Sequence, residues 1–185
     1  MALKKICFDK SIEYYLKNYN GYERSNCHVN VFQKFYDFNY SEIEANESSF
    51  KYVIGLFLGM YENRKICYLH SWIEINNEVI DVTVFANALV GPGTLLSGPE
   101  FEEARKMLAE DCKYMPLKTI SNKQYNRELN ELYYSKSIST PEKAAELLIR
   151  KWIEEAESSP KIKKQIEKHG YEYTKTFDPF NEIYS

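Results

Sequence analysis

Cys27, His70 and Asp81 supply the three side-chain types that thiol-dependent acyl transfer needs. They are a nucleophile, a base to take its proton, and a carboxylate to orient that base. Cys27 falls at the predicted start of a helix, where unpaired N–H groups and the helix dipole favour a thiolate. His70 lies within Tyr68-Leu69-His70-Ser71-Trp72-Ile73-Glu74, and Asp81 within Val79-Ile80-Asp81-Val82-Thr83; both stretches read as strands. Strand parity tests whether they can meet. Side chains alternate, so Tyr68, His70, Trp72 and Glu74 share one face. A two-residue turn at Asn76-Asn77 pairs Ile75 with Glu78, and therefore Trp72 with Asp81. Asp81 then lies diagonal to His70 on the same face, about 7–8 Å away between backbones, within side-chain reach. A turn shifted by one residue would send Asp81 to the opposite face.

The elements that must position these residues follow from patterning. Residues 11–19 read as a short helix with Ile12, Tyr15 and Leu16 on one face, followed by a turn at 18–22. Val29, Phe32, Phe35 and Tyr36 fall at helical intervals from about Cys27, with Ser25 or Asn26 as its N-cap. Residues 41–50 are polar and read as a loop. Strands are expected at 52–61, 66–75 and 79–85, forming an antiparallel meander. Gly91-Pro92-Gly93-Thr94-Leu95-Leu96-Ser97-Gly98-Pro99 reads as a loop, placed to serve either as a lid over the site or as a plain linker. Beyond it the chain reads almost wholly as helix, at 99–114, 122–135, 141–157 and 160–169. Thr140-Pro141 and Ser159-Pro160 mark two helix starts and Gly170 one helix end, with His169 suited to the C-terminal dipole. The aromatic tail, Tyr171, Tyr173, Phe177, Phe180 and Tyr184, is expected to pack back on the body. The expected organisation is therefore a core at 1–90, a loop at 91–99, and a mostly helical extension at 100–185 packed on that core.

His70-Ser71-Trp72-Ile73-Glu74, then a hairpin, then Val79-Ile80-Asp81-Val82-Thr83, resembles the His-x-Trp-x-Glu … Asp-x-Thr signature of the transglutaminase-like superfamily, within the papain-like cysteine peptidase group. The resemblance covers roughly residues 20–85, and the order Cys27, His70, Asp81 agrees with it. It implies an α+β fold: a papain/transglutaminase-like core of nucleophile helix plus antiparallel sheet, here with a helical C-terminal extension. It also implies a Cys-His-Asp triad acting as a thiol hydrolase or acyltransferase on an amide, peptide or thioester, through a thioester intermediate. Papain itself has a Gln ahead of its nucleophile to line the oxyanion hole. No Gln precedes Gln33 here, leaving a backbone N–H plus Asn18, Asn20, Tyr22 or Asn26 for that role. The flank Arg24-Ser25-Asn26-Cys27-His28-Val29-Asn30 also lacks the Gly and Trp common in these families.

Composition narrows the alternatives. The chain has 185 residues, 44% hydrophobic, with only seven Gly and six Pro, which excludes collagen-like and wholly disordered chains. Its net charge of −3 is evenly spread: residues 1–98 carry nine Lys/Arg against eleven Asp/Glu, the remainder fifteen against sixteen. Without a basic stripe, a nucleic-acid partner is not expected. No run of 18 apolar residues and no early signal segment occurs, so no membrane association is expected. Four irregularly spaced Cys do not read as a disulfide framework, and a reducing cytoplasm is the expected setting. Cys27-His28 with Cys67-x-x-His70 offers four zinc-type ligands, but Cys67 and His70 point to opposite faces of a strand. Neither a metal nor a cofactor is expected. The expected partner is a peptide or protein amide substrate. The competing reading is a non-catalytic protein-binding module on a degenerate transglutaminase-like fold.

Overall fold

The computed structural model describes residues 3–17, 27, 28, 30, 31, 50–61, 63–84, 99–135 and 138–174. The fold is α+β. Strands β1 (Phe50–Tyr61), β2 (Arg64–Ile75), β3 (Glu78–Ile80) and β4 (Lys113–Ser121) form a sheet in the order β3-β2-β1-β4, and β5 (Glu172–Tyr173) also pairs with β2. Helices are α1 (Phe8–Lys17), α2 (Pro99–Glu110), α3 (Asn122–Ser135), α4 (Pro141–Glu157) and α5 (Pro160–His169).

The antiparallel meander β1-β2-β3 is present, with Ile75 opposite Glu78 as the parity argument requires. The hairpin turns through Asn76 (φ 52°) and Asn77 (φ 66°), a left-handed pair that Asn tolerates better than most residues. Every residue of β1 from Tyr52 to Gly59 is buried, which is why it reads as a continuous apolar run rather than an alternating one. One face of the sheet holds Val53, Phe57, Tyr68, Trp72, Val79 and Tyr114 against Tyr15 of α1 and Leu108 of α2. The other holds Tyr52, Ile54, Ile73 and Ile80 against Tyr125 of α3 and Trp152 of α4.

The helical reading of the second half needs one correction. Residues 113–121 are not helix but β4, antiparallel to β1. The predicted helix at 99–114 stops at Glu110, and the remaining bounds, 122–135, 141–157 and 160–169, match α3, α4 and α5. Their capping is the sequence's own. Thr140 Oγ1 accepts from Lys143 N at 3.3 Å, Ser159 Oγ accepts from Lys161 N at 3.4 Å, and Gly170 closes α5 at φ 66°. β4 therefore brings the second half of the chain into the sheet itself, rather than leaving it as an added helical layer. It carries Pro116 at a register shift opposite Gly55, where an irregular ladder accommodates the missing proline N–H. The first helix starts earlier than expected, at Phe8, and Leu16 is exposed while Ser11 and Tyr15 are buried. Of the expected loop at 41–50, Phe50 instead opens β1 and the rest lies outside the described residues, as do the aromatic tail beyond 174 and the Gly/Pro loop apart from Pro99.

Residues 4–7 tie the two outer strands together. Lys4 and Tyr114 of β4 exchange backbone hydrogen bonds at 2.9 Å each, and Cys7 N donates to Val79 O of β3 at 2.8 Å. The sheet thus curls on itself, which brings β4 across to β3. On the outer edge of β2, β3 covers only Ile73–Ile75 and β5 only Ile66–Cys67. Tyr68 to Trp72 have no strand partner on that edge among the described residues.

Candidate active site

The site forms at that gap. Asp81 sits one residue past β3 rather than inside the expected strand 79–85, because its own side chain ends the strand. Asp81 Oδ1 accepts from Thr83 N at 3.0 Å and Val84 N at 3.2 Å, capping the helical turn at 82–84. Its backbone N–H donates to Ser11 Oγ at 3.0 Å, and Ser11 donates in turn to the Cys7 carbonyl at 2.7 Å. Backbone and side chain are thereby both fixed.

The other carboxylate oxygen, Oδ2, faces His70 Nε2 at 2.5 Å and accepts from the Tyr114 hydroxyl at 2.8 Å. Asp81, Tyr114 and His70 are all buried, so a charge here must be met by partners. Tyr114 was not foreseen as part of the site, since it lies on the unpredicted β4 and reaches Asp81 only because the sheet curls. His70 is enclosed by aromatic rings: Trp72 stacks on it at 6.4 Å and 24°, and Phe57, Tyr68 and Tyr114 meet it at 5.7, 5.6 and 6.2 Å. Trp72 is fixed by its Nε1–H to Glu74 Oε1 at 3.3 Å, and Glu74 by Lys4 Nζ at 2.6 Å. Gly55 makes room for this stack. A Cβ there would lie 2.4 Å from the Trp72 ring and 2.2 Å from the Met115 carbonyl oxygen.

Cys27, Asn30 and Val31 are buried and helical, and His28 is helical and half-buried; the residues that would show where this helix begins lie outside those described. Asn30 Nδ2 donates to Thr83 Oγ1 at 3.2 Å, tying this segment to the turn that Asp81 caps. His70 Nδ1 is buried and has no hydrogen-bond partner among the described residues. Besides Asp81, the charge of the Cys27 sulfur bears on the ring. With Nε2 facing Asp81, Nδ1 is the ring nitrogen left open. Of the three sequence-predicted residues, His70 and Asp81 are in direct contact, and Cys27 is buried near enough for its charge to act on the ring.

Electrostatics follow from that order. Burial favours the neutral thiol, but the charges and hydrogen bonds of His28 and His70 outweigh it, and the Cys27 thiol falls well below its usual value. Burial likewise disfavours the His70 imidazolium, yet Asp81 and Cys27 prevail and hold it up at about 10. Both shifts act in one direction, toward a thiolate beside an imidazolium. By contrast, burial pushes the Cys67 thiol up to about 11 and that of Cys112 up to about 12. Cys67 packs with Leu56 and Met115, across the sheet from the cluster around His70, as strand parity requires.

His28, which entered the sequence reading only as a zinc-type ligand, is the second addition to the site. Its Nδ1 lies 2.5 Å from Ser71 Oγ, itself 3.0 Å from the Tyr52 hydroxyl. The donor residues Asn18, Asn20, Tyr22 and Asn26 considered for the oxyanion lie outside the described residues. Among known proteins, no family model, no curated protein and no solved structure matches the chain.

Proposed function

We propose that this chain is a cysteine-dependent hydrolase or acyltransferase on a papain/transglutaminase-like core, acting on an amide, peptide or thioester carbonyl. One observation carries the reading: the His70 imidazole and the Asp81 carboxylate are in direct contact in a buried cluster, with ring nitrogen Nδ1 left open and the buried Cys27 thiol near enough for its charge to act on the ring.

The chemistry follows from those contacts. The Cys27 thiolate adds to the carbonyl carbon and the carbonyl electron pair moves to oxygen. As the tetrahedral intermediate collapses, the leaving amine or thiol takes the proton from His70 Nδ1, and a thioester to Cys27 remains. The now neutral His70 next takes a proton from water or an amine as it attacks the thioester. The C–S bond breaks and the electron pair returns to sulfur, restoring the thiolate–imidazolium pair. Asp81 keeps the other imidazole proton on Nε2 and balances the positive charge. Tyr114 and the two backbone N–H groups hold the carboxylate in place. The mechanism asks for no cofactor or metal. A peptide or protein amide fits as substrate, and a reducing cytoplasm suits a reaction that requires a free thiol; all four cysteines are free. Among the described residues no helix is long and apolar enough to cross a membrane.

Limiting iodoacetamide at neutral pH, mapped by mass spectrometry, tests the central step. Cys27 should be labelled at least about tenfold faster than Cys67 or Cys112, whose thiols burial holds protonated, and ahead of Cys7. His70→Ala should abolish that lead. Equal labelling of the four cysteines, or a lead that survives His70→Ala, overturns the proposal.

A further inference from the structure

The two carboxylate oxygens of Asp81 have different partners. Oδ2 faces His70 and accepts from Tyr114, while Oδ1 accepts from Thr83 N at 3.0 Å and Val84 N at 3.2 Å and so shapes the turn at 82–84. That turn presents the buried Thr83 hydroxyl to the buried Asn30 amide, whose Nδ2–H donates to it at 3.2 Å. Asn30 follows Cys27 by three residues, so the two lie on one side of their helix. The run of bonds that starts at the carboxylate on His70 therefore ends one helical turn from the thiol.

The other attachments of this helix leave it a freedom that Asn30 removes. Val31 is buried in one cluster with Ile73 and Ile80, an apolar contact that rewards burial without selecting a direction. Sliding a helix by one residue shifts it about 1.5 Å and turns it about 100°, enough to withdraw a side chain while apolar area stays covered. His28 Nδ1, 2.5 Å from Ser71 Oγ, ties the helix to β2, but about a single tie it can still pivot. The bond from Asn30 to Thr83 supplies a second fixed point on a different element. A hydrogen bond weakens steeply away from its preferred distance and angle, and parting two buried polar groups costs more than parting two methyls.

We propose that Asn30 and Thr83 are positioning residues, a latch through which Asp81 aligns the helix of Cys27 as well as the ring of His70. The inference rests on the reading of Cys27, His70 and Asp81 as a triad and deepens it. One carboxylate sets the base through Oδ2 and the place of the nucleophile through Oδ1. Neither Asn30 nor Thr83 touches a reacting atom. Their effect on the thiol passes through His70.

The test is the pH profile of Cys27 alkylation by iodoacetamide in the full chain, with urea denaturation of each variant alongside. Thr83→Val keeps the side-chain shape and the backbone N–H on Asp81 but deletes the hydroxyl. It should move the acid limb of the profile upward by at least about half a pH unit, roughly a threefold loss of rate on that limb. Thr83→Ser, which keeps the hydroxyl, should retain most of the wild-type rate. Asn30→Ala cuts the same bond from the other side and reads it should Thr83→Val not fold; the two together should shift the limb no further than either alone. In a His70→Ala background, Thr83→Val should leave the midpoint where His70→Ala puts it, because a positioning residue acts only through the group it positions. A purely structural bond would lower the urea midpoint and leave the alkylation midpoint in place for Thr83→Val and Asn30→Ala alike. That result, with His70→Ala still moving the limb, overturns the latch and leaves the Cys-His-Asp reading standing. A Thr83→Val shift that persists undiminished without His70 overturns it as well. If His70→Ala moves nothing, the thiol is not activated and both readings fail.

Discussion

A thiolate–imidazolium pair leaves a mark on stability that can be read without a substrate. In the unfolded chain the Cys27 thiol has its ordinary value of 9.0 and His70 its ordinary 6.5. In the fold the thiol lies well below 9.0 and His70 at about 10, so the order is inverted. The lowered Cys27 value contributes stability that is lost as pH falls through it; the raised His70 value contributes stability that is lost as pH rises through about 10. Above about pH 6.5 and above the pH at which the folded Cys27 thiol has ionised, up to about pH 9, each state holds one proton on the pair, on sulfur when unfolded and on imidazole when folded, so the slope is zero. Below that window the unfolded chain gains a second proton, and above it the unfolded chain loses its last. Stability therefore falls on both sides, each limb at about 1.4 kcal/mol per pH unit. Cys27→Ser removes the compensating thiol and leaves His70 against Asp81. The plateau should become a decline from about pH 6.5 upward, with a loss of about 1–2 kcal/mol between pH 7 and 8.5 relative to wild type. Urea denaturation followed by circular dichroism at half-unit pH steps measures this, and taking the difference between the two profiles cancels every other titrating group. Parallel profiles across that interval would refute the shared-proton pair and the activation it implies.

Two further substitutions probe the frame around the pair. Tyr114→Phe deletes the donor at 2.8 Å from Asp81 Oδ2 without leaving a large cavity. Hydrogen bonds to charged acceptors are worth about 1.5–3 kcal/mol, so thermal melting should fall by roughly 3–12 °C for a chain of this size; a change within about 1 °C would mean that Asp81 does not depend on β4. Gly55→Ala places a methyl 2.2 Å from the Met115 carbonyl oxygen and 2.4 Å from Trp72, and backbone cannot yield there without disturbing the β1–β4 pairing. It should cost at least about 1–3 kcal/mol in urea denaturation, as overpacking does, and should reduce the alkylation lead of Cys27 as Trp72 shifts on His70. A loss under about 0.5 kcal/mol would show that the stack has slack.

What the sequence discloses about this site depends on how local each contact is. His70 and Asp81 are joined by one hairpin, so alternation and the two Asn residues of the turn suffice to pair them. The bounds of α4 and α5 are equally legible, because Thr140, Ser159 and Gly170 act on backbone groups within four residues of themselves. The strand expected to carry Asp81 stops at Ile80, because an Asp can cap the next turn as readily as extend a strand, and local pattern does not decide between them. β4 fails as a local signal because Lys113, Pro116 and Lys118 interrupt its apolar alternation.

Tyr114 and His28 are hidden for a different reason, since their meaning exists only in the assembled sheet. Tyr114 meets Asp81 because residues 4–7 tie β4 to β3, a closure that no window of sequence contains. His28 meets Ser71, and Cys27 meets His70, although consecutive residues of β2 face opposite ways. A segment lying against the middle of a sheet face would reach only one of the two. One that lies at the strand edge reaches both, and the edge of β2 lacks strand partners between Cys67 and Ile73 among the described residues. The brevity of β3, ended by the Asp81 cap, is thus what admits Cys27 to His70 on one side while leaving Ser71 available to His28 on the other. The carboxylate that orients the base also ends the strand that would otherwise cover it.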